Sequence, residues 1–188
     1  SGLRSIPNLN VLRPADQIET IECWELAIKS KNTPSVLALT RQNLDPVNKD
    51  YKRINQCSFG AYEVLRTNKK IKLTLIATGS EVNLAIKISH KLAKEKIYTK
   101  VISMPCQEIF DYQSKNYKKK ILEETKKIFS IEAGSKQSWE KYVGNRGLSF
   151  SINDFGKSAP YQKIYDYFGL SVEKIIKNIK ANISRNGS

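Results

Sequence analysis

The stretch that decides the fold class is residues 73–96, LTLIATGSEVNLAIKISHKLAKEK. Leu73–Ala77 is a short apolar run, which is typical of a strand buried on both faces of a parallel sheet. A turn follows at Thr78-Gly79-Ser80, and from Glu81 onward apolar side chains recur at helical spacing to residue 96. A strand, a turn and a helix in this order form one unit of an α/β fold.

The chain downstream repeats this alternation of strands and helices. The predicted strands cover residues 61–65, 100–103, 128–131 and 148–152, and the predicted helices cover residues 116–124, 139–143, 161–168 and 171–183. Alternating elements of these lengths predict a mostly parallel sheet with helices on both faces.

The chain upstream contains only part of such a unit. Asp16 is placed to cap a helix whose apolar residues are Ile18, Ile21, Leu26 and Ile28, and residues 35–39 are a short apolar run typical of a buried parallel strand. This is too little to fold alone. Residues 45–58 have no sustained period and carry proline and polar clusters, which predicts a domain boundary.

Composition excludes several classes of protein. The 188 residues carry a net charge of +14 and are 40% hydrophobic, which is enough to bury a core and excludes a wholly disordered chain. No run approaches the roughly 20 apolar residues of a membrane span. The lysines are scattered over helical faces without an aromatic stacking motif, so we expect solvated surfaces and no nucleic-acid or membrane partner.

The cysteines and the one histidine do not form a recognisable site. Cys23, Cys57 and Cys106 are widely spaced, and His90 is the only histidine available to complete a zinc site. We interpret the cysteines as reduced thiols of a cytoplasmic protein. His90 lies late in a predicted helix, so it is not expected to join Ser135 in a catalytic triad.

Three turns follow predicted strands and open helices, where a doubly wound sheet can bind an anion. They are residues 78–81, the turn at Gly134-Ser135, and residues 155–160. The first has a single glycine, and Glu81 would repel phosphate; Ser80 as a helix cap is the simpler interpretation. The other two are also explained as tight turns.

Arg41 is a stronger candidate. It leaves the carboxyl end of the predicted strand 35–39, where α/β proteins place ligand contacts. Its planar guanidinium suits a carboxylate or a phosphate, and a structural ion pair is the alternative.

Six stretches of the chain together resemble transketolases, in the same order over nearly all 188 residues. They are residues 3–8 (LRSIPN), 13–16 (RPAD), 39–44 (LTRQNL), 77–82 (ATGSEV), 101–105 (VISMP) and 155–160 (FGKSAP). Each motif alone is weak, but six in order are specific.

The resemblance implies an α/β fold in which residues 1–45 are the end of a pyrimidine-binding domain, 46–57 a linker and 58–188 the C-terminal domain. That domain is a three-layer α/β/α sandwich whose first strand, predicted at 61–65, is antiparallel. The family's arginine that binds the substrate's terminal phosphate matches Arg41.

The resemblance also implies an activity and its cofactors. Transketolases transfer a two-carbon ketol unit from a ketose phosphate to an aldose phosphate in the pentose phosphate pathway, as cytoplasmic homodimers that use thiamine diphosphate and Mg²⁺. The family's cofactor, metal and catalytic motifs lie upstream of residue 1. We therefore expect no catalytic, cofactor-binding or metal residue in this chain, and no activity from it alone.

Three alternatives remain. Deoxyxylulose-phosphate synthases and the β subunits of 2-oxo acid dehydrogenases share this final domain, although their arginine segment usually differs from Arg41-Gln42-Asn43. A stand-alone module that binds a small anion or a protein is second, and the unsupported strand at 35–39 argues against it. Nucleic-acid binding is third.

Overall fold

The N-terminal part of the chain forms a small parallel pair of strands linked by a helix. The computed structural model describes residues 2–47, 53–67 and 69–185. A 3-10 helix at Gly2–Ser5 precedes strand β1 (Asn10–Leu12), helix α1 (Gln17–Lys29) and strand β2 (Ser35–Leu37). β1 and β2 pair in parallel, and the Asp16 carboxylate caps α1 by accepting from the Glu19 amide at 2.8 Å. The cap agrees with the sequence pattern, whereas β2 is shorter than the predicted strand at 35–39 and is half-buried rather than buried.

The rest of the chain is built on a five-stranded sheet. Its strands are β3 (Tyr62–Arg66), β4 (Leu73–Ala77), β5 (Thr99–Ser103), β6 (Ile128–Ile131) and β7 (Leu148–Phe150). The spatial order is β3-β5-β4-β6-β7, and all neighbours are parallel except β3, which runs antiparallel to β5. The mostly parallel sheet with an antiparallel first strand is therefore confirmed.

Helices cover both faces of this sheet. They are α2 (Glu81–Lys94), α3 (Gln107–Asp111), α4 (Lys115–Leu122), α5 (Glu140–Val143), α6 (Tyr161–Tyr167) and α7 (Val172–Arg185). Because side chains alternate along a strand, β4 directs Leu75 to one face, against α2 and α7, and Ile76 to the other. The second face is covered by aromatic residues, among them Phe110 and Trp139. This is the three-layer α/β/α arrangement.

Element bounds differ from the sequence expectation mainly where elements are short. β4 and β6 have the predicted bounds, whereas the strand predicted to residue 152 ends at Phe150. The helix predicted at 139–143 begins as a 3-10 helix at Lys136–Trp139 before it continues as α5. α3 has only five residues and was not predicted, because so short a segment shows no helical period.

The orientation of α1 is the main departure from expectation. Glu19, Glu22 and Cys23 form its buried side. Several of its large apolar side chains lie on the outside, with Ile21 53% exposed and Trp24 50% exposed, whereas Leu26 is partly buried. Part of the expected linker, residues 48–52, lies outside the described residues, and a 3-10 helix at Gln56–Phe59 then packs against the acidic side of α1.

Gly60 ends that 3-10 helix where two backbone segments meet. Its φ is +74°, and a Cβ there would lie 2.2 Å from the Phe110 nitrogen and 2.6 Å from the Cys106 oxygen. Both atoms belong to the backbone and cannot move aside. Gly169 has a similar φ of +78°, but a Cβ there would meet nothing within 4 Å.

We predict that Gly60→Ala lowers the free energy of unfolding by about 3 kcal/mol, because left-handed strain and overpacking add. The control Gly169→Ala carries the strain alone and is expected to lower it by about 1 kcal/mol. Urea-unfolding midpoints measure both. Equal losses would mean that the close approach of the backbone at Gly60 is not a constraint.

Candidate functional site

Arg41 lies on a loop, residues 38–47, that leaves the carboxyl end of β2. The loop begins where the Ala38 amide donates to the Leu12 oxygen at 2.8 Å, and it ends where the Val47 amide donates to the Asp16 carboxylate at 2.9 Å. Arg41 itself is exposed. Within residues 2–47, 53–67 and 69–185, no carboxylate forms an ion pair with it.

The C-terminal end of the loop contacts the first turns of helix α2. The Asn83 side-chain amide donates to the Asp45 backbone oxygen at 2.7 Å. Lys87, one turn further along α2, lies 3.4 Å from the Asp45 carboxylate. The loop that carries Arg41 is therefore attached both to the N-terminal part of the chain, through Asp16, and to the five-stranded unit, through Asn83.

A network of buried charges joins the two parts of the chain beside this loop. Arg13, just after β1, donates to the carboxylates of Glu81 and Glu132, the first at 3.1 Å. Glu132 follows β6 and also accepts from Arg4 at 2.7 Å and from the Trp139 indole at 2.5 Å. Both carboxylates are almost fully buried, so each depends on an arginine from the N-terminal segment.

The pKa shifts in this network follow from burial and opposite charge. Burial by itself would lower the pKa of the Arg13 guanidinium, but Glu81 and Glu132 raise it above its ordinary value. Burial would raise the pKa of Glu132, but the charges of Arg4 and Arg13 lower it below its ordinary value. Burial and the Glu81 carboxylate together raise the pKa of Tyr165, whose hydroxyl donates to Glu81 at 2.5 Å. All these groups remain in one charge state near neutral pH.

This network explains the turn at residues 78–81. Gly79 has φ +59°, and a Cβ there would lie 3.2 Å from the Arg13 guanidinium. The start of α2 is therefore occupied by the pair of Arg13 and Glu81. Ser80 lies at the N-cap of α2 and Glu81 in its first turn, as the sequence indicates. The Ser80 side chain makes no capping hydrogen bond, because its hydroxyl donates to Glu81 at 2.6 Å.

The other candidates from the sequence lie apart. His90 is exposed near the C-terminal end of α2, at the opposite end of the helix from Gly79. A Cβ at Gly134 would lie 3.4 Å from the side chain of Glu132, and Gly156 lies in an exposed segment where a Cβ would meet nothing within 4 Å.

The cysteines are buried, and the described residues offer no metal ligand set. Cys23, Cys57 and Cys106 are free thiols in one buried cluster with Leu12. Burial raises the pKa of the Cys106 thiol. In the described ranges no three His, Cys, Asp or Glu side chains are grouped to hold a metal ion. No helix there is long and apolar enough to cross a membrane.

Glu19 is the most unusual titratable group. It is fully buried where α1 meets the sheet, and its carboxylate accepts from the Ala15 amide at 2.6 Å, the Tyr62 hydroxyl at 2.8 Å and the Ser103 hydroxyl at 2.5 Å. These three donors are all uncharged. Burial raises the pKa of Glu19 to about 7, against the smaller opposite effect of these hydrogen bonds.

Comparison with known proteins shows the family. Residues 60–171 match the family model for the transketolase-like C-terminal domain, and residues 1–46 match that for the transketolase pyrimidine-binding domain. The chain belongs to the transketolase family. The resemblance seen in the six sequence motifs is therefore confirmed, and the related thiamine-diphosphate enzymes are not supported.

Individual transketolases match over almost the whole chain. Those of Sinorhizobium medicae and Staphylococcus epidermidis are 42% and 43% identical over 93% and 96% of the chain, which spans 25% and 28% of their lengths. A solved Pichia stipitis transketolase, in complex with sedoheptulose 7-phosphate, matches with a TM-score of 0.88 and 35% identity over 97% of the chain and 26% of its own. The chain thus spans about a quarter of its relatives.

We predict that Arg13→Met lowers the free energy of unfolding by about 3 kcal/mol, because it keeps the aliphatic bulk but leaves the buried Glu81 without a cation. The control Lys91→Met removes an exposed ion pair to Glu173 and is expected to change it by less than about 1 kcal/mol. Chemical denaturation measures both. A loss for Arg13→Met as small as that of the control would contradict the assigned role.

We predict that Glu19 makes the protein more stable at acid pH. Its pKa is raised in the folded state, so its contribution is fully present below pH 4.5 and is lost as the pH rises to about 7, by about 3 kcal/mol in total. Glu19→Gln removes this contribution. The difference in unfolding free energy between the wild type and Glu19→Gln, measured from pH 4 to 8, should fall over that window; a constant difference would show that Glu19 titrates normally.

Proposed function

We propose that the chain is the C-terminal part of a transketolase. That longer protein transfers a two-carbon ketol unit from a ketose phosphate to an aldose phosphate, with thiamine diphosphate and Mg²⁺, in the pentose phosphate pathway. Family membership and the identity of about 42% to transketolases support this activity. The ligand of the Pichia stipitis protein, sedoheptulose 7-phosphate, supports sugar phosphates as the substrate class.

The proposed organisation has residues 1–45 as the end of the pyrimidine-binding domain, 46–57 as a linker and 58–188 as the C-terminal domain. The exposed apolar side of α1 supports the assignment of the first segment as an incomplete domain. Ile21, Trp24 and Ile28 are each at least half exposed, and Leu39 beyond β2 is 55% exposed. Further polypeptide of the pyrimidine-binding domain would cover this surface. A complete stand-alone module is not expected to expose it.

In this proposal the chain supplies substrate binding rather than cofactor chemistry. The chemistry that thiamine diphosphate would supply to the longer protein is the stabilisation of negative charge on carbon. The residues that hold it belong to the upstream polypeptide, so the chain alone is expected to be inactive. We further propose a cytoplasmic homodimer as the working form, as in the family.

Arg41 is the proposed ligand of the substrate's terminal phosphate. The observation that carries this role is that Arg41 is exposed at the carboxyl end of β2 while no described carboxylate pairs with it. A structural ion pair, the alternative, is therefore not supported by the described residues. An available guanidinium donates two parallel hydrogen bonds to phosphate, which favours phosphorylated sugars over their unphosphorylated forms.

We predict that Arg41→Ala, in the full-length enzyme, raises KM for ribose 5-phosphate by about 10- to 100-fold and changes kcat little. The reason is that the hydrogen bonds from Arg41 to the phosphate are equally strong in the ground and transition states. Initial rates of ketol transfer measure this. Arg185→Ala, an exposed arginine at the end of α7, is the control and should behave as wild type. A fall in kcat with no change in KM would exclude phosphate binding by Arg41.

The assay of the full-length enzyme also tests the activity itself. The wild type should transfer a ketol unit only in the presence of thiamine diphosphate and Mg²⁺, and the 188-residue chain alone should bind neither in a calorimetric titration. Tight cofactor binding by the chain would place part of the cofactor site within it. It would contradict the proposal that the cofactor-binding residues belong to the upstream polypeptide.

A further inference from the structure

We propose that Asn83 is a positioning residue for Arg41, so that the C-terminal unit takes part in the recognition of the substrate phosphate. The inference rests on the proposed function of Arg41. Asn83 touches no substrate in this account. It acts by holding the loop of residues 38–47. Asn83 belongs to α2 of the C-terminal unit, whereas the loop leaves β2 of the N-terminal part.

The hydrogen bonds of the loop show where it is held. After Ala38, the next hydrogen bond from the described residues outside the loop is the one that Asn83 donates to the Asp45 oxygen, at 2.7 Å. Between them the loop has a local bond, from the Gln42 amide to the Thr40 hydroxyl at 3.2 Å. Without Asn83 the next anchor is Val47, on Asp16. The segment that contains Arg41 would then have more conformations to lose when a phosphate binds.

Asn83 is well suited to act as a fixed point. It lies in the first turn of α2, between Val82 and Ala85, which are fully buried in the core against the sheet. The helix therefore cannot shift without disturbing that core. The side-chain amide of Asn83 donates to the Asp45 oxygen, so the fixed helix restricts the position of Asp45 and, through the loop backbone, that of Arg41. Lys87 adds an ion pair with Asp45, but both side chains are mostly exposed and the pair is weak.

Preorganisation predicts a specific kinetic effect. A guanidinium held near its binding geometry loses less entropy on binding. The gain in affinity is therefore expected for phosphorylated substrates alone. Loss of one neutral hydrogen bond corresponds to about a 3- to 10-fold change in affinity for the phosphorylated substrate. An overall structural role of Asn83 would instead weaken reactions of all substrates alike, because it would disturb the whole active site.

The experiment compares two aldose acceptors, ribose 5-phosphate and ribose, in the full-length enzyme with an unphosphorylated ketose as donor. Asn83→Ala should raise KM for ribose 5-phosphate about 3- to 10-fold, with kcat unchanged and kcat/KM for ribose unchanged. Asn83→Gln keeps the amide donor and should restore most of the affinity. Asn178→Ala, which removes a bond to Lys174 within α7, is the matched control and should have no effect.

The double variant Arg41→Ala/Asn83→Ala separates the outcomes. If Asn83 acts through Arg41, the double variant should have the KM of Arg41→Ala alone. Additive effects, or equal losses with both acceptors, would overturn the inference. If Arg41→Ala discriminates between the acceptors and Asn83→Ala does not, Asn83 has no positioning role and the proposed function stands. If Arg41→Ala itself does not discriminate, both the role of Arg41 and that of Asn83 are wrong.

Discussion

The guanidinium of Arg13 lies between the buried carboxylates of Glu81 and Glu132, and the arrangement of the two parts of the chain depends on this contact. Two carboxylates at the carboxyl edge of one sheet would repel each other and lose their hydration on burial. Arg13 compensates for both, and Arg4 adds a second cation to Glu132. The N-terminal segment is thereby fixed across the carboxyl edge of the five-stranded sheet.

The remaining contact between the two parts combines polar groups with a small apolar cluster, in which Leu12 and Cys23 pack against Cys57 and Cys106. α1 meets strands β3 and β5 through Glu19 and meets the 3-10 helix at Gln56–Phe59 through Glu22, which accepts from the Cys57 amide at 2.9 Å. Hydrogen bonds with fixed directions make such a contact specific in position, whereas apolar contacts tolerate sliding. Ile21 and Trp24 of α1 lie exposed on the other side of the helix. The segment is thus positioned on the C-terminal unit by directed polar contacts beside a small apolar cluster, while part of its apolar surface faces away.

The parts of the fold that follow from local pattern were predictable, and the parts that depend on distant partners were not. The apolar runs of β4 and β6 define their own bounds, and the position of Asp16 before an apolar-periodic segment identifies the cap of α1. The pattern of α1 also shows that the helix has an apolar face. It does not show which part of a chain covers that face, so the burial of Glu19 and the exposure of Trp24 were missed.

The candidate site divides in the same way. Arg41 was found because a charged residue directly after an apolar run that predicts a strand is a local signal. The pairing of Arg13 with Glu81 and Glu132 joins residues 68 and 119 positions apart, and no spacing rule connects them. The one available signal was that Glu81 and Glu132 each follow a central strand, β4 and β6, so that their side chains meet at one edge. Asn83 has no signal of its own in the sequence.

The interlocking of Arg4 and Arg13 with the sheet edge also bears on how transketolases can be cut and recombined. The C-terminal family model begins at residue 60, after both arginines. A polypeptide divided there would separate Glu81 and Glu132 from their cations, although it would keep every strand of the five-stranded sheet. In this chain the segment around residues 4–16 therefore belongs with the five-stranded unit, and a chimera that joins either one to a different parent needs matching charges on both sides of the junction.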